Sequence, residues 1–266
     1  MKICINGIVI EEVAARVDPR DRGFTLSDGV FETIAVKRGK APKLMAHLGR
    51  LRQGLAVLGL PLSAPDLTIA NWIGELLSAN ALSDAAVRLT VSRGVGARGI
   101  LPPENPTPTV IITTSPLPPP AEPARVIVAQ VTRRNEHSPT SRIKSLAYLD
   151  NVLARQEASA AGADDALMLN TAGTLACGSV GNVFALIDGS LLTPPVSDGA
   201  LPGIARADVI ALARAEERTI TREMLDRASE VFLTNALGLR PVIAIDGKDV
   251  GDGAPGLITQ LIGTRV

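Results

Sequence analysis

Arg142-Ile143-Lys144-Ser145-Leu146-Ala147-Tyr148-Leu149-Asp150-Asn151 sets a single lysine between an extended run and a helical pattern. The spacing predicts a strand over 126–131 and a helix over 146–160, with Lys144 at the mouth of the helix. An amine at that place has a short, fixed path into a cleft, and partial desolvation lowers its pKa toward that of a nucleophile. Most lysines are solvated surface groups. Lys144 therefore draws its meaning from the rest of the chain.

Toward the N-terminus, Pro116-Leu117-Pro118-Pro119-Pro120-Ala121-Glu122-Pro123 is a stiff proline-rich stretch, read as a spacer or as a surface loop within one domain. It divides the chain into an expected smaller α+β domain over 1–117, a linker over 118–123, and a larger α+β domain over 124–266 that carries Lys144. In the first part, Asn6-Gly7 marks a hairpin. Val30–Val36 alternates as a strand. Leu44, Leu48, Leu51, Leu55 and Leu58 form one face of a helix that Gly59 stops. A second helix is expected over about 65–80, and strands at Val87–Val91 and Thr109–Thr113. In the second part, strands are expected at Ala166–Leu169, Val183–Ile187 and Val231–Thr234, and helices at Ile204–Ala215 and Gly256–Ile262. The elements mix without a regular βαβ period, which favours α+β over a doubly wound sheet.

Composition narrows the function. The 266 residues are 46% hydrophobic, enough for a substantial core. The 27 basic and 27 acidic residues balance to zero charge, with no basic stripe for nucleic acid. No apolar run reaches membrane-spanning length, and the N-terminal stretch lacks the apolar core of a signal peptide. Cys4 and Cys177 make no disulfide framework and no metal-ligand spacing, so the expectation is a cytoplasmic protein without a metal. With only His47 and His137, a zinc site or a Ser-His-Asp triad lacks parts.

Three further segments bear on chemistry. Leu201-Pro202-Gly203-Ile204-Ala205-Arg206 opens a helix, whose first N–H groups can cradle a phosphate, although an ordinary helix start has the same pattern. Arg50 could add a fixed positive charge, or be a solvated helix residue. Leu175-Ala176-Cys177-Gly178-Ser179-Val180-Gly181-Asn182 is a Gly/Ser-rich approach to a strand, suited to a flat ligand or to a tight turn. Ser92-Arg93-Gly94-Val95-Gly96-Ala97-Arg98-Gly99 could aim two guanidinium groups at carboxylates, or be a flexible surface loop. It lacks the strand-to-helix context of a nucleotide fingerprint. An amine, a phosphate cradle, an arginine and a Gly/Ser loop together suit pyridoxal 5′-phosphate.

These segments resemble the class IV aminotransferases, the fold-type IV pyridoxal-phosphate enzymes, over nearly the whole chain. The resemblance rests on Asp21-Arg22-Gly23-Phe24, Ser27-Asp28-Gly29-Val30-Phe31-Glu32-Thr33, His47-Leu48-Gly49-Arg50-Leu51, the Lys144 segment, Asn182-Val183-Phe184, Leu201–Arg206 and Thr234–Val242, in that order. It implies a two-domain α+β fold like that of D-amino-acid aminotransferase, with the active site between the domains, and a homodimer. It also implies that Lys144 is the Schiff-base lysine and moves protons. Arg50 and the amides of Ile204 and Ala205 would hold the cofactor phosphate, and Leu201 would pack on the pyridine ring. Ala205 and Ala236 stand where the family often has hydroxyl residues. Cys177 stands where the family has the glutamate that faces the ring nitrogen, and a neutral thiol stabilises a buried pyridinium less well. Phe31 is a pocket or core aromatic, and Arg93 and Arg98 are candidates for substrate carboxylates.

Ser92-Arg93-Gly94 with Arg98-Gly99, and Thr234-Asn235-Ala236-Leu237 leading to Pro241-Val242, are similar to 4-amino-4-deoxychorismate lyases. The first expectation is accordingly conversion of 4-amino-4-deoxychorismate to 4-aminobenzoate and pyruvate, in folate synthesis. The Lys144–Ala158 run also resembles D-amino-acid transaminases, so a D-amino-acid or other class IV transaminase is the alternative. A non-catalytic binding protein on the same fold is a third reading, because of Cys177.

Overall fold

The computed structural model describes residues 1–263. Its chain forms two compact units, Met1–Pro118 with Ile143–Ala147, and Pro119–Arg142 with Tyr148–Val266. The division falls in the proline-rich stretch. No helix among the described residues is long and apolar enough to cross a membrane.

The first unit is built on a sheet ordered β2-β1-β5-β4-β3. Its strands are β1 (Lys2–Ile5), β2 (Ile8–Glu11), β3 (Gly29–Val36), β4 (Ala85–Ser92) and β5 (Thr109–Pro116). Every pair is antiparallel. Asn6 and Gly7 turn the β1–β2 hairpin with φ of 50° and 86°, as the two-residue turn requires. A short helix, α1 (Arg22–Leu26), precedes β3 and is capped by Asp21, which accepts from the Gly23 N–H at 2.7 Å.

Side chains alternate across each strand. Val30, Ile34, Val87, Leu89, Val91, Val110 and Ile112 form one core with helices α2 (Leu44–Val57) and α3 (Asp66–Ala79). The helices contribute Leu48, Leu51, Leu55, Ile69, Ile73 and Leu76. Each such side chain, fully buried, stabilises the fold by roughly 1.5–3 kcal/mol. Phe31 stands on the other parity of β3, away from that core.

β3 is the edge strand, and Ile143–Ala147 covers it. Phe31 N–H donates to Lys144 O and Leu146 N–H donates to Gly29 O, both at 2.9 Å, around a Val30–Ser145 bridge. Two expectations change here. Lys144 follows a single 3₁₀ turn at Pro139–Arg142, and the helix begins only at Leu149. The lysine also belongs with the first unit and not with the second. The reason is one of pairing: the open N–H and C=O groups of the β3 edge take up this segment before a helix can form.

The second unit has a nine-stranded sheet ordered β11-β10-β9-β12-β13-β6-β7-β8, with β14 paired to β13. In chain order its elements are β6 (Ala124–Val128), α4 (Leu149–Ala160), β7 (Asp165–Leu169), β8 (Leu175–Gly178), β9 (Asn182–Ile187), β10 (Ser190–Thr193), α5 (Ile204–Ala213), β11 (Glu216–Glu217), α6 (Arg222–Leu225), β12 (Glu230–Asn235), β13 (Gly238–Ile245), β14 (Lys248–Asp249) and α7 (Leu257–Gly263). The alternation of β9 and β12 feeds two cores. Val183, Ala185, Val231 and Leu233 join one. Phe184 and Phe232 stack at 5.1 Å in the other, with Val209 of α5 and Ile262 of α7. Ala154 and Ala158 of α4 pack with Ala166, Met168 and Cys177 in a cluster of mostly small side chains, which lets the helix lie close to the strands.

Candidate active site

In the first unit, β3 sends a charged residue into its apolar face. Glu32 is fully buried and shares the parity of Val30 and Ile34. Arg50 donates from Nε to Glu32 Oε1 at 2.8 Å and from Nη2 to Oε2 at 2.6 Å. His47 Nδ1 lies 2.8 Å from the same Oε2. His47 and Arg50 are three residues apart on α2 and so share one face. Burial pushes the Glu32 carboxyl up, but the bonds from Arg50 and His47 prevail and hold it below its ordinary range. This network orients the Arg50 guanidinium, which is 11% exposed.

On the opposite parity of β3, the Lys144 Nζ sits 4.1 Å from the centre of the Phe31 ring and the Arg88 guanidinium carbon 3.9 Å from it. Phe31 is buried and Lys144 half-buried. The ring is thus a platform that gathers two cationic side chains.

A second buried network lies at the other end of the strand. Asp28 Oδ2 accepts from Arg22 Nε at 2.8 Å and from Arg93 Nε at 2.7 Å. Burial pushes this carboxyl up, and the two arginines bring it below its ordinary range. Arg22 also donates to the carbonyls of Gly99, Ile100 and Leu101, pinning the loop that bears Arg98. Arg93 donates to the carbonyls of Gly59 and Leu58, at 3.2 and 2.7 Å. With its side chain 5% exposed and all three nitrogens engaged, Arg93 belongs to the framework. The expectation that it grips a substrate carboxylate fails on this geometry. Arg98 is exposed on its loop and open to a ligand.

In the second unit, Asn182 on β9 donates from Nδ2 to Leu201 O at 2.8 Å. A Cβ on Gly203 would collide with Asn182 Oδ1, so only glycine lets the chain pass so close. Gly203 precedes α5 and gives it no side-chain cap. Ile204 and Ala205, both half-buried, begin the helix, and their amides lie at its positive end. Ala236 is half-buried in the β12–β13 turn, where Asn235 Oδ1 accepts from Leu237 N–H. Cys177 on β8 pairs with Met168 and is 7% exposed. Burial pushes its thiol up, Arg134 opposes this and Asp165 adds to it, so the thiol stays neutral.

Lys144 and Phe31 are brought together in one unit, and Leu201, Ile204 and Ala205 in the other. Glu32, His47, Arg88, Asp28 and Arg22 had no assigned role from sequence. A parity signal existed for Glu32, a carboxylate in register with apolar neighbours on a strand. His47 and Arg50 carry the helical spacing. Nothing in the local sequence marks Arg88, because its pairing with Phe31 depends on strand register.

The Amino-transferase class IV family model matches residues 29–245. A Methanocaldococcus jannaschii protein provisionally named a branched-chain-amino-acid aminotransferase is 35% identical, covering 98% of this chain and 93% of that one. A Bacillus licheniformis D-alanine aminotransferase is 32% identical, covering 100% and 96%. Among solved structures, the Escherichia coli branched-chain amino acid aminotransferase superposes with a TM-score of 0.93 at 27% identity, covering 98% and 91%. A T.th. branched-chain amino acid aminotransferase complexed with N-(5′-phosphopyridoxyl)-L-glutamate gives 0.90 at 26%, covering 99% and 91%. A Legionella pneumophila protein provisionally named 4-amino-4-deoxychorismate lyase gives 0.84 at 29%, covering 94% of each chain.

The residues present fit pyridoxal phosphate. An amine stands on an aromatic platform. An uncapped helix start lies where a Cβ is excluded. The Thr234 hydroxyl, beside Asn182 in the β9–β12 register, is buried without a hydrogen-bond partner among the described residues. With the family model spanning both units and the donor set matching the cofactor, the chain belongs to the class IV aminotransferases, enzymes that depend on pyridoxal 5′-phosphate.

Proposed function

We propose that the protein is an amino-acid aminotransferase, moving an amino group from an amino acid to a 2-oxo acid. The observation that carries this reading is Lys144, half-buried with Nζ 4.1 Å from the Phe31 ring centre and with its backbone tied to β3. Bound pyridoxal phosphate supplies an electron sink for the pair released at the amine-bearing carbon. Lys144 supplies the primary amine and holds or returns the proton at that carbon. Arg50, braced by Glu32, and the amides of Ile204 and Ala205 receive the phosphate, with the turn at Ala236. Leu201 would pack on the face of the ring, and Cys177 would stand at its nitrogen. Phe31 shapes the substrate space, and Arg98 is the candidate for a substrate carboxylate. The relatives named for D-alanine and branched-chain amino acids favour an amino-acid substrate. A second copy of the chain would cover the apolar side chains of Phe24, Ile100 and Leu101, which are 77–87% exposed.

Cys177 favours a second reading, the lyase acting on 4-amino-4-deoxychorismate. A neutral thiol beside the ring nitrogen weakens the electron sink, and elimination to an aromatic product needs that sink less than transamination does.

Lys144→Ala tests the common core. The wild-type protein should develop a visible absorbance band with pyridoxal phosphate that borohydride fixes covalently, and the variant should not. Turnover of D-alanine or a branched-chain amino acid with 2-oxoglutarate then supports the transferase. Release of 4-aminobenzoate without such turnover supports the lyase. A borohydride adduct that persists in Lys144→Ala rejects the lysine assignment.

A further inference from the structure

Register decides where a lysine on a paired segment points, because each step of one residue turns its side chain to the other face. Val30 and Ser145 form an antiparallel bridge, so Lys144 stands opposite Phe31, Leu146 opposite Gly29 and Ile143 opposite Glu32. Lys144 and Leu146 therefore share one face of the β3 edge, and Ile143 and Ser145 the other.

Each face carries an anchor. Ile143 is 6% exposed and belongs to the core that Val30 shares with α2. Its seat depends on a helical glycine. A Cβ on Gly54 would lie 3.1 Å from Val30 Cγ1 and 3.6 Å from Ile143 Cβ, so a longer side chain there would take the space that Ile143 fills. On the other face, a Cβ on Gly29 would come within 2.8 Å of Leu146 Cδ1. Leu146 thus occupies the place that Gly29 leaves open. The next residues of β3 on that face are Phe31 and Thr33, and neither leaves such a place. A slip of one residue would turn Lys144 into the apolar core and bring Ile143 out of it. A slip of two would keep the face, but would set Leu146 against Phe31 or beyond the start of β3.

We propose that Ile143 and Leu146 are positioning residues for Lys144. Ile143 selects the face of β3 on which the lysine stands, and Leu146, seated at Gly29, selects its register, so that Nζ emerges over Phe31. This rests on Lys144 as the reacting amine.

The test mixes the full-length protein with limiting pyridoxal phosphate, fixes it with borohydride and digests it. Mass spectrometry then reports how the label divides between Lys144 and the other lysines. The visible band against pyridoxal phosphate concentration gives the half-saturation point. Ile143→Ala and Leu146→Ala are compared with wild type, with the conservative Ile143→Val and Leu146→Met, and with Ile73→Ala, a 2% exposed residue of α3 in the same core. Both alanine variants should lose label at Lys144, with half-saturation raised by about tenfold or more, since a misplacement of about 1 Å costs up to about 10²-fold. The conservative variants should keep wild-type values. So should Ile73→Ala, even with a lower melting temperature. Wild-type labelling and half-saturation in a folded alanine variant overturns the role of that residue. Should Ile143→Ala fail to fold, Leu146→Ala, at a half-buried site, still decides the register claim. An equal loss in Ile73→Ala marks general loosening and overturns the inference. A wild type labelled mainly at other lysines overturns the lysine assignment, and this inference with it.

Discussion

Glu32→Gln should destabilise the first unit and remove part of its sensitivity to acid. The carboxylate is fully buried and accepts two hydrogen bonds from Arg50, at 2.8 and 2.6 Å, with His47 Nδ1 2.8 Å away. Glutamine keeps the volume and one acceptor. In place of the second oxygen it sets an NH₂ group against an N–H, and it leaves the Arg50 charge, 11% exposed, without its counter-ion. Removing one partner of a buried ion pair costs about 3–5 kcal/mol, and the retained acceptor reduces this to about 2–4 kcal/mol. The pH dependence has a definite sign. The folded-state pKa of Glu32 lies below its ordinary 4.5, because the Arg50 and His47 bonds outweigh the effect of burial. Its stabilisation is therefore complete above that value and is lost as pH falls through the folded-state pKa. Glutamine does not titrate. Urea unfolding of both proteins should show a gap that closes as pH falls below about 5. A gap under about 1 kcal/mol at neutral pH would mean that desolvation cancels the attraction, and would refute a net stabilising role for the pair. A gap that stays constant into acid would show that charge is not its source.

The two candidate arginines should separate cleanly. Arg93→Met leaves Asp28 and the Leu58 and Gly59 carbonyls short of a buried donor, so it should lower stability by about 3–5 kcal/mol and impair expression before it alters substrate affinity. Arg98→Met, at an exposed site, should leave unfolding within about 0.5 kcal/mol of wild type and raise KM for the carboxylate substrate; an unchanged KM removes Arg98 from the substrate site. If Cys177 stands at the ring nitrogen as proposed, Cys177→Glu should raise aminotransferase turnover relative to lyase turnover, by setting a charge there. A flat or falling ratio would reject the electronic role of Cys177. Light scattering should give a mass of twice 27.7 kDa, whereas a monomer would leave the apolar patch at Phe24, Ile100 and Leu101 without its proposed partner.

Periodicity in the chain marks most of the architecture. The Leu44–Leu58 spacing encodes α2, Asn6-Gly7 encodes the first hairpin, and Pro116–Pro123 contains the point where the two units divide. These are local features, decided by backbone conformation and by which face of an element is apolar. The ordered set of motifs, with Lys144 and the Leu201–Arg206 helix start, also carries the family.

Tertiary structure decided what depends on contacts between distant segments. Lys144 belongs with the first unit because β3 has an open edge, and nothing near the lysine in sequence records that edge. Arg93 and Arg98 read alike in a glycine-rich loop, yet one is buried against Asp28 and the other is exposed. Glu32, His47 and Arg50 become one network only when β3 packs on α2. Thr234 acquires its neighbour Asn182 through strand register. The sequence determined which residue types and local conformations were available. Burial and pairing across the sheets, which no local pattern encodes, decided which of those side chains lie in the framework and which stay accessible.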